Sequence, residues 1–335
     1  QMVVRIPIGF ASDRLGRRKP FVTMGIVLAA LSSLGLGLAR SATAALVFRG
    51  IAGVAAGAWV AFSVLFSGYF PERQGAASMG LILFFMTIGQ TLGSTLGGIL
   101  MDFFGWGAPF FVGAVAGFAG LGLNFAVVEG INLTAQPMGL GVLKRVGSEK
   151  MLLKASSLAA VTQALSFASV YGFSPTFAVE LGATGTDLSI LALVSALPAA
   201  LISLRTGQLT ARFGERRVLT ASMVLFAAAV VAVPFSPNLG VLFLTQGLGA
   251  VGRGATVPIL MGLSIQGVAL ENRATAMGFF QSIYALGMTF GPAIMGVLGD
   301  AVGLNLGFVF MGLCGLAAAS LAWNWIPDPV HKSQD

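Results

Sequence analysis

Gly9-Phe10-Ala11-Ser12-Asp13-Arg14-Leu15-Gly16-Arg17-Arg18-Lys19 forms the first polar loop of the chain, and an apolar run, 20–39, follows it directly. Glycine permits a tight turn and close backbone approach. Clustered arginine and lysine mark the cytoplasmic end of a membrane span. Asp13 is the only acid in the stretch. A second copy, Gly207-Gln208-Leu209-Thr210-Ala211-Arg212-Phe213-Gly214-Glu215-Arg216-Arg217, stands 198 residues on (207 minus 9) and carries Ala211 at the position of Asp13. The same offset pairs Met79-Gly80 with Met277-Gly278, Gly89 with Gly287, Gly93 with Gly291, Asp102 with Asp300 and Gly105 with Gly303. Glycine is abundant, 46 of 335 residues, so single matches mean little. A constant register running through loops and apolar runs is an internal repeat.

Working outward, the rest of the chain is mostly apolar. Hydrophobic residues make up 56% and charged residues 9%, with a mean hydropathy of +0.90. A soluble surface needs a larger charged fraction than that. A bilayer core takes about 20 apolar residues to cross, and such runs fall at 20–39, 43–68, 77–101, 107–128, 154–178, 187–206, 217–234, 239–266, 272–299 and 305–326. The stretch before Gly9 is too short to span. The expectation is an all-α integral membrane protein with ten complete spans and a partial one. Arg14, Arg17, Arg18, Lys19, Arg73, Lys144, Arg145, Lys150, Arg205, Arg212, Arg216, Arg217, Arg273 and Lys332 fall on one side of these spans, and only Arg40 on the other. That places the 129–150 linker and the C-terminus in the cytoplasm of a multi-pass cell (inner or plasma) membrane protein. The net charge of +7 serves topology rather than nucleic acid, since no stacking aromatics accompany the basic residues. Cys314 and His331, each alone of its kind, offer no disulfide and no metal site.

In residue type, spacing and place, the Gly9–Lys19 stretch resembles the signature loop between the second and third helices of the major facilitator superfamily. The resemblance implies two pseudo-symmetric six-helix bundles that rock by alternating access. The second repeat has six spans and the first four and a fragment, so the register predicts that about fifty residues, a hairpin in length, are missing before Gln1. The expected division is 1–128 for the N-terminal bundle, 129–150 for a linker, 151–327 for the C-terminal bundle and 328–335 for a tail. The resemblance also implies that Asp13, supported by Gly9, Arg14, Gly16, Arg17 and Arg18, closes the inner side by bonding near the start of the eleventh helix, around Arg273 to Met277, with Arg73 as a charge partner. The plain alternative is a solvated turn whose charges only set topology.

Other motifs carry less. Arg49-Gly50 with Gly53 and Gly57 is similar to the family's fourth-helix arginine motif; Arg49 either takes part in coupling or snorkels to the outer interface. Gly89-Gln90-Thr91-Leu92-Gly93-Ser94 resembles the antiporter signature of drug exporters, with Ser94 where that signature has proline. Small residues at such spacing read first as helix packing. Gly247-Leu248-Gly249-Ala250-Val251-Gly252 matches a dinucleotide pattern but lies inside an apolar run with no strand before it, so it is rejected.

Arg253 lies near the middle of its span, where a charge is hardest to hide. Gln246, Gly249, Arg253 and Thr256 share one helical face. Arg253 can bind an anionic substrate group, repel cations, pair with an acid, or bond backbone carbonyls as a structural residue. Gln163, Ser166 and Ser169 with Tyr171 just beyond, Gln281 and Tyr284, and Gln90 complete a candidate substrate lining. No acid lies inside a span, so no embedded carboxylate for proton coupling is visible. There is no phosphate loop, and the chain reads as a transporter that is not an enzyme and needs no cofactor. The expected function is export of a small amphipathic molecule by proton antiport, with uptake or exchange of a small anionic metabolite as the alternative and a non-transporting receptor or scaffold a distant third. Its partners would be a small-molecule substrate, protons as the coupling ion, and the lipid bilayer, for a protein that is a monomer.

Overall fold

The computed structural model describes residues 2–71, 74–129 and 140–327, and among these there are helices and no strands. Ten helical segments are long and apolar enough to cross a membrane, matching the ten expected runs. The helices are α1 (Met2–Leu15), α2 (Lys19–Leu38), α3 (Ala42–Gly57), α4 (Trp59–Ser67), α5 (Gly75–Phe104), α6 (Ala108–Phe125), α7 (Leu140–Gly147), α8 (Lys150–Leu165), α9 (Ser174–Glu180), α10 (Gly185–Phe213), α11 (Glu215–Ala232), α12 (Leu239–Ile265), α13 (Arg273–Val302) and α14 (Leu304–Trp325). Two expected runs are subdivided. The 43–68 run is α3 plus α4, divided at Ala58. The 154–178 run is α8 and α9 joined by a π-helical stretch, Ser166–Phe173. Arg73, His331 and the 328–335 tail lie outside the described residues.

The chain forms two compact units that interleave in sequence. Unit 1 takes Gln1–Pro71, Ile88–Glu149 and Gly267–Ser282, and unit 2 takes Glu72–Thr87, Lys150–Gln266 and Ile283–Asp335. Helices α5 and α13 each begin in one unit and end in the other.

Lipid is as apolar as leucine, so membrane helices associate through close packing and interhelical hydrogen bonds rather than through the hydrophobic effect. Unit 1 shows both devices. Gly25 of α2 lies against Ala58, and the Ser32 and Ser33 hydroxyls donate to the carbonyls of Phe48 and Phe110, at 2.7 and 3.0 Å. Unit 2 packs α10, α11 and α14 around a core of Leu165, Phe226, Phe308 and Met311. There Gly252 and Gly254 of α12 leave no room for a Cβ beside Ser222 and Ala199.

Two of the glycine crossings, one in each unit, are equivalent in the repeat. In unit 1, a Cβ on Gly9 would overlap the Ala274 carbonyl, and one on Gly278 would lie 2.8 Å from the Arg5 oxygen. In unit 2, Gly207 presses on Ala77 and Gly80 on the Ser203 backbone. The loop glycines Gly16 and Gly214, also a repeat pair, have φ of +66° and +85°. Residues with a Cβ rarely adopt that conformation, so the loop needs glycine at this point in both copies.

The small-residue pattern Gly89/Gly93 departs from its packing expectation. A Cβ at either position would meet nothing within 4 Å, whereas the repeat equivalents Gly287 and Gly291 press onto Ala160 and Ala164 of α8. The two copies use the same spacing for different surroundings.

Candidate functional site

The loop after α1 turns on Gly16, whose N–H donates to the Asp13 carbonyl at 3.0 Å. The turn sends the Asp13 side chain inward, where it is completely buried. Its carboxylate accepts the backbone N–H of Thr275 at 2.6 Å and that of Ala274 at 3.2 Å, in the first turn of α13. The first N–H groups of a helix have no partner within it and carry the positive end of its dipole, so a carboxylate there satisfies both needs. The described charge partner of Asp13 is Arg18, at 3.3 Å. The same Arg18 Nη2 donates to the Leu270 carbonyl at 2.7 Å, in the loop leading into α13. Of the other loop residues named from sequence, Gly9 sits at the helix crossing, while Arg14 and Arg17 are exposed.

Two residues that the sequence reading did not select hold this loop in place. Glu129 accepts the backbone N–H groups of Arg18 and Lys19, capping the start of α2. Lys19 reciprocates by donating its ammonium to the Val127 and Phe125 carbonyls, at 2.6 and 3.1 Å, at the end of α6. Each helix end is completed by a charge of the sign its dipole favours. Arg5 was also passed over, because the run around it is apolar. It is 4% exposed, and its Nη1 donates to the Gln281 carbonyl at 2.9 Å. A lone charge in an apolar run was the available signal.

Burial pushes the Asp13 carboxyl up to about 6 from 3.8, against the lowering by the Thr275 N–H, Arg18 and the Ala274 N–H. Burial likewise lowers Arg18, against the raising effect of Asp13 and Glu129, while Arg273 adds to the lowering. The raised Asp13 value fixes a sign. The bonded state holds its proton more tightly than a water-exposed carboxyl, so its relative stability is fully present below about pH 4 and is lost as pH rises through about 6. The total is about 3 kcal/mol for that difference. Melting temperature measured from pH 4 to 7.5 is expected to fall with rising pH in the wild type more than in Asp13→Asn. Parallel curves would show that Asp13 does not titrate there.

The candidate lining residues separate. Gln246 donates to the Ser174 hydroxyl at 2.9 Å and Thr256 to that of Ser222 at 3.0 Å, each linking α12 to a neighbouring helix. Ser166 is buried and bonds back to the Thr162 carbonyl, and Gln163 is half-buried on the same helix. Tyr284 is buried, Gln90 and Arg49 are exposed, and Gln281 is fully buried, its side-chain amide having no hydrogen-bond partner among the described residues. Arg253 turns away from the Gln246 and Thr256 pairs. Its Nη1 donates to the Tyr171 hydroxyl at 2.8 Å and its Nη2 to the Ser195 carbonyl of α10 at 2.7 Å. Among the described residues it has no ion-pair partner.

The profile of the Major Facilitator Superfamily matches residues 1–150 and 156–335. The multidrug resistance protein Stp of Mycobacterium tuberculosis is 27% identical over 344 residues, covering 85% of this chain and 64% of that protein. The quinolone resistance protein NorA of Staphylococcus aureus is 28% identical over 155 residues, covering 46% of this chain and 40% of NorA. The chain thus spans less than two thirds of the length of these curated relatives. Among solved structures, the human organic anion transporter MFSD10 superposes with a TM-score of 0.79 at 19% identity, covering 96% of this chain and 80% of that one. The Escherichia coli fucose:proton symporter FucP superposes with a TM-score of 0.80 at 16% identity, covering 97% and 88%.

Proposed function

Because the chain belongs to the Major Facilitator Superfamily, a family of transporters rather than enzymes, we propose that it is part of a secondary transporter that exports a small amphipathic molecule by alternating access, in exchange for protons. The observation that carries the reading is the bonding of Asp13 to the first turn of α13. A carboxylate from one end of the chain, held by two N–H groups some 260 residues away, is a contact that can be made in one state and released in another. Similarity to two proteins named for drug resistance supports export. We further propose that the protein lies in the cell membrane as a monomer, with linker and C-terminus cytoplasmic, and that 1–128 and 151–327 act as its two bundles.

A second reading is favoured by one observation. Among the described residues, Arg253 lies inside a span with only neutral acceptors around its guanidinium, and an uncompensated charge in a low-dielectric setting attracts its opposite. That favours a small anionic metabolite as substrate.

The test uses the full-length protein in proteoliposomes with an imposed pH gradient, recording internal pH as amphiphiles are added. Proton movement driven by a cationic amphiphile and unchanged in Arg253→Ala supports drug-type export. Anion flux reduced at least about ten-fold in Arg253→Ala, a step of about 1.4 kcal/mol, supports the second reading. Absence of any substrate-dependent flux removes both.

A further inference from the structure

The surroundings of Arg253 give Tyr171 a specific role. The π-helical stretch Ser166-Phe167-Ala168-Ser169-Val170-Tyr171-Gly172-Phe173 widens the helix by one residue per turn. Within it, a Cβ on Gly172 would lie 2.7 Å from the Phe167 carbonyl oxygen. Relative to a continuous α-helix, the wider turn re-aims the side chains it carries. Tyr171 lies inside the stretch: its ring is 5.2 Å from that of Phe167, its side is open at 55% exposure, and the Arg253 Cζ lies 5.4 Å from its centroid.

Two acceptors hold the guanidinium, and they differ in kind. The Ser195 carbonyl is backbone within α10 and cannot leave. The Tyr171 hydroxyl is on an exposed side chain and can. Arg253 Nε is buried with no hydrogen-bond partner among the described residues, so the guanidinium has unused donor capacity. A carboxylate or sulfonate makes a stronger, charge-assisted bond to a guanidinium than a neutral phenol does. An oxyanion arriving at this point therefore outcompetes the hydroxyl, while the freed Tyr171 ring and Phe167 remain beside it as a surface for a flat group.

We propose that Arg253 and Tyr171 form the binding subsite for an aromatic oxyanion. In this subsite the ligand's charged group replaces the Tyr171 hydroxyl on the Arg253 guanidinium, and its ring stacks on Tyr171. Tyr171 is thus a placeholder that caps the charge when the subsite is empty and sets specificity when it is filled. This rests on the reading of the chain as a transporter whose substrate meets Arg253, and it names the substrate class.

The test is binding to the purified full-length protein by calorimetry, with naphthalene-2-sulfonate, cyclohexanesulfonate and phenyltrimethylammonium as probes. Tyr171→Phe keeps the ring and removes the competing hydroxyl, so naphthalene-2-sulfonate is expected to bind roughly three- to ten-fold tighter, one neutral hydrogen bond's worth. Tyr171→Leu is expected to weaken naphthalene-2-sulfonate about five-fold or more while changing cyclohexanesulfonate less. Arg253→Gln is expected to lose both sulfonates, and Arg253→Lys to retain weakened binding, with phenyltrimethylammonium not bound at this subsite by any variant. If both Tyr171 variants bind like the wild type while Arg253→Gln loses the anions, the placeholder role is wrong and the anion reading of Arg253 stands. If sulfonates fail to bind the wild type, or Arg253→Gln binds them unchanged, the subsite does not exist, whatever the flux experiment shows about transport.

Discussion

Replacing Asp13 by alanine is expected to lower the melting temperature of the purified protein and to reduce transport at least about ten-fold, a step of about 1.4 kcal/mol. Three losses coincide in that substitution. The N–H groups of Ala274 and Thr275 lose their acceptor at a buried position, and an unsatisfied buried donor costs about 1–3 kcal/mol. Arg18 loses its carboxylate while remaining buried. Breaking a buried ion pair from one side costs about 3–5 kcal/mol. The first turn of α13 also loses the negative charge that complements its dipole. Asp13→Asn separates these terms, because it keeps the shape and one acceptor oxygen and imitates the protonated carboxyl that burial favours. It is therefore expected to be less disruptive than alanine. An alanine variant with wild-type melting temperature and flux would reduce the loop to a topological signal.

The second large effect is steric. Gly9→Leu is expected to abolish accumulation of folded protein, or to lower its stability by about 3 kcal/mol, the upper end for overpacking. A Cβ at this position would overlap the Ala274 carbonyl oxygen and approach the Thr275 Cα to 3.2 Å. Backbone atoms of a packed helix cannot step aside as a side chain can. Gly50 supplies the control: a Cβ there meets nothing within 4 Å, so Gly50→Leu should be tolerated. Size-exclusion profiles and melting curves of the two variants side by side decide the matter. Equal tolerance would mean that α1 and α13 do not cross closely in the protein.

The spans were legible because bilayer thickness imposes a run length that the sequence must display. The repeat was legible because a register survives where individual residues do not. What stayed hidden was partner choice. Four basic residues crowd the Gly9–Lys19 stretch, and nothing in their spacing says that Arg18 turns inward to Asp13 while Arg14 and Arg17 face outward. Glu129 read as one more linker acid, since its role is to cap a helix more than a hundred residues earlier. Arg5 was averaged away by its apolar neighbours. The shared face of Gln246, Arg253 and Thr256 follows from helical periodicity, but a long arginine side chain can leave the face its Cα belongs to, and here it reaches toward α10 and Tyr171. The π-helical stretch had no periodic signature of its own.

The exchange between Lys19 and Glu129 also bears on how the protein is made. The α2 start and the residue that caps it are 111 positions apart, and at about 5–20 residues per second of synthesis the loop waits many seconds for its partner to leave the ribosome. During that interval the start of α2 lacks the carboxylate that caps it. The carbonyls at the end of α6 and the carboxylate just beyond them arrive together. Docking them is then a single event that finishes both helices. Biogenesis of this half should show a late compaction step, timed to emergence of residue 129 rather than to insertion of any one span.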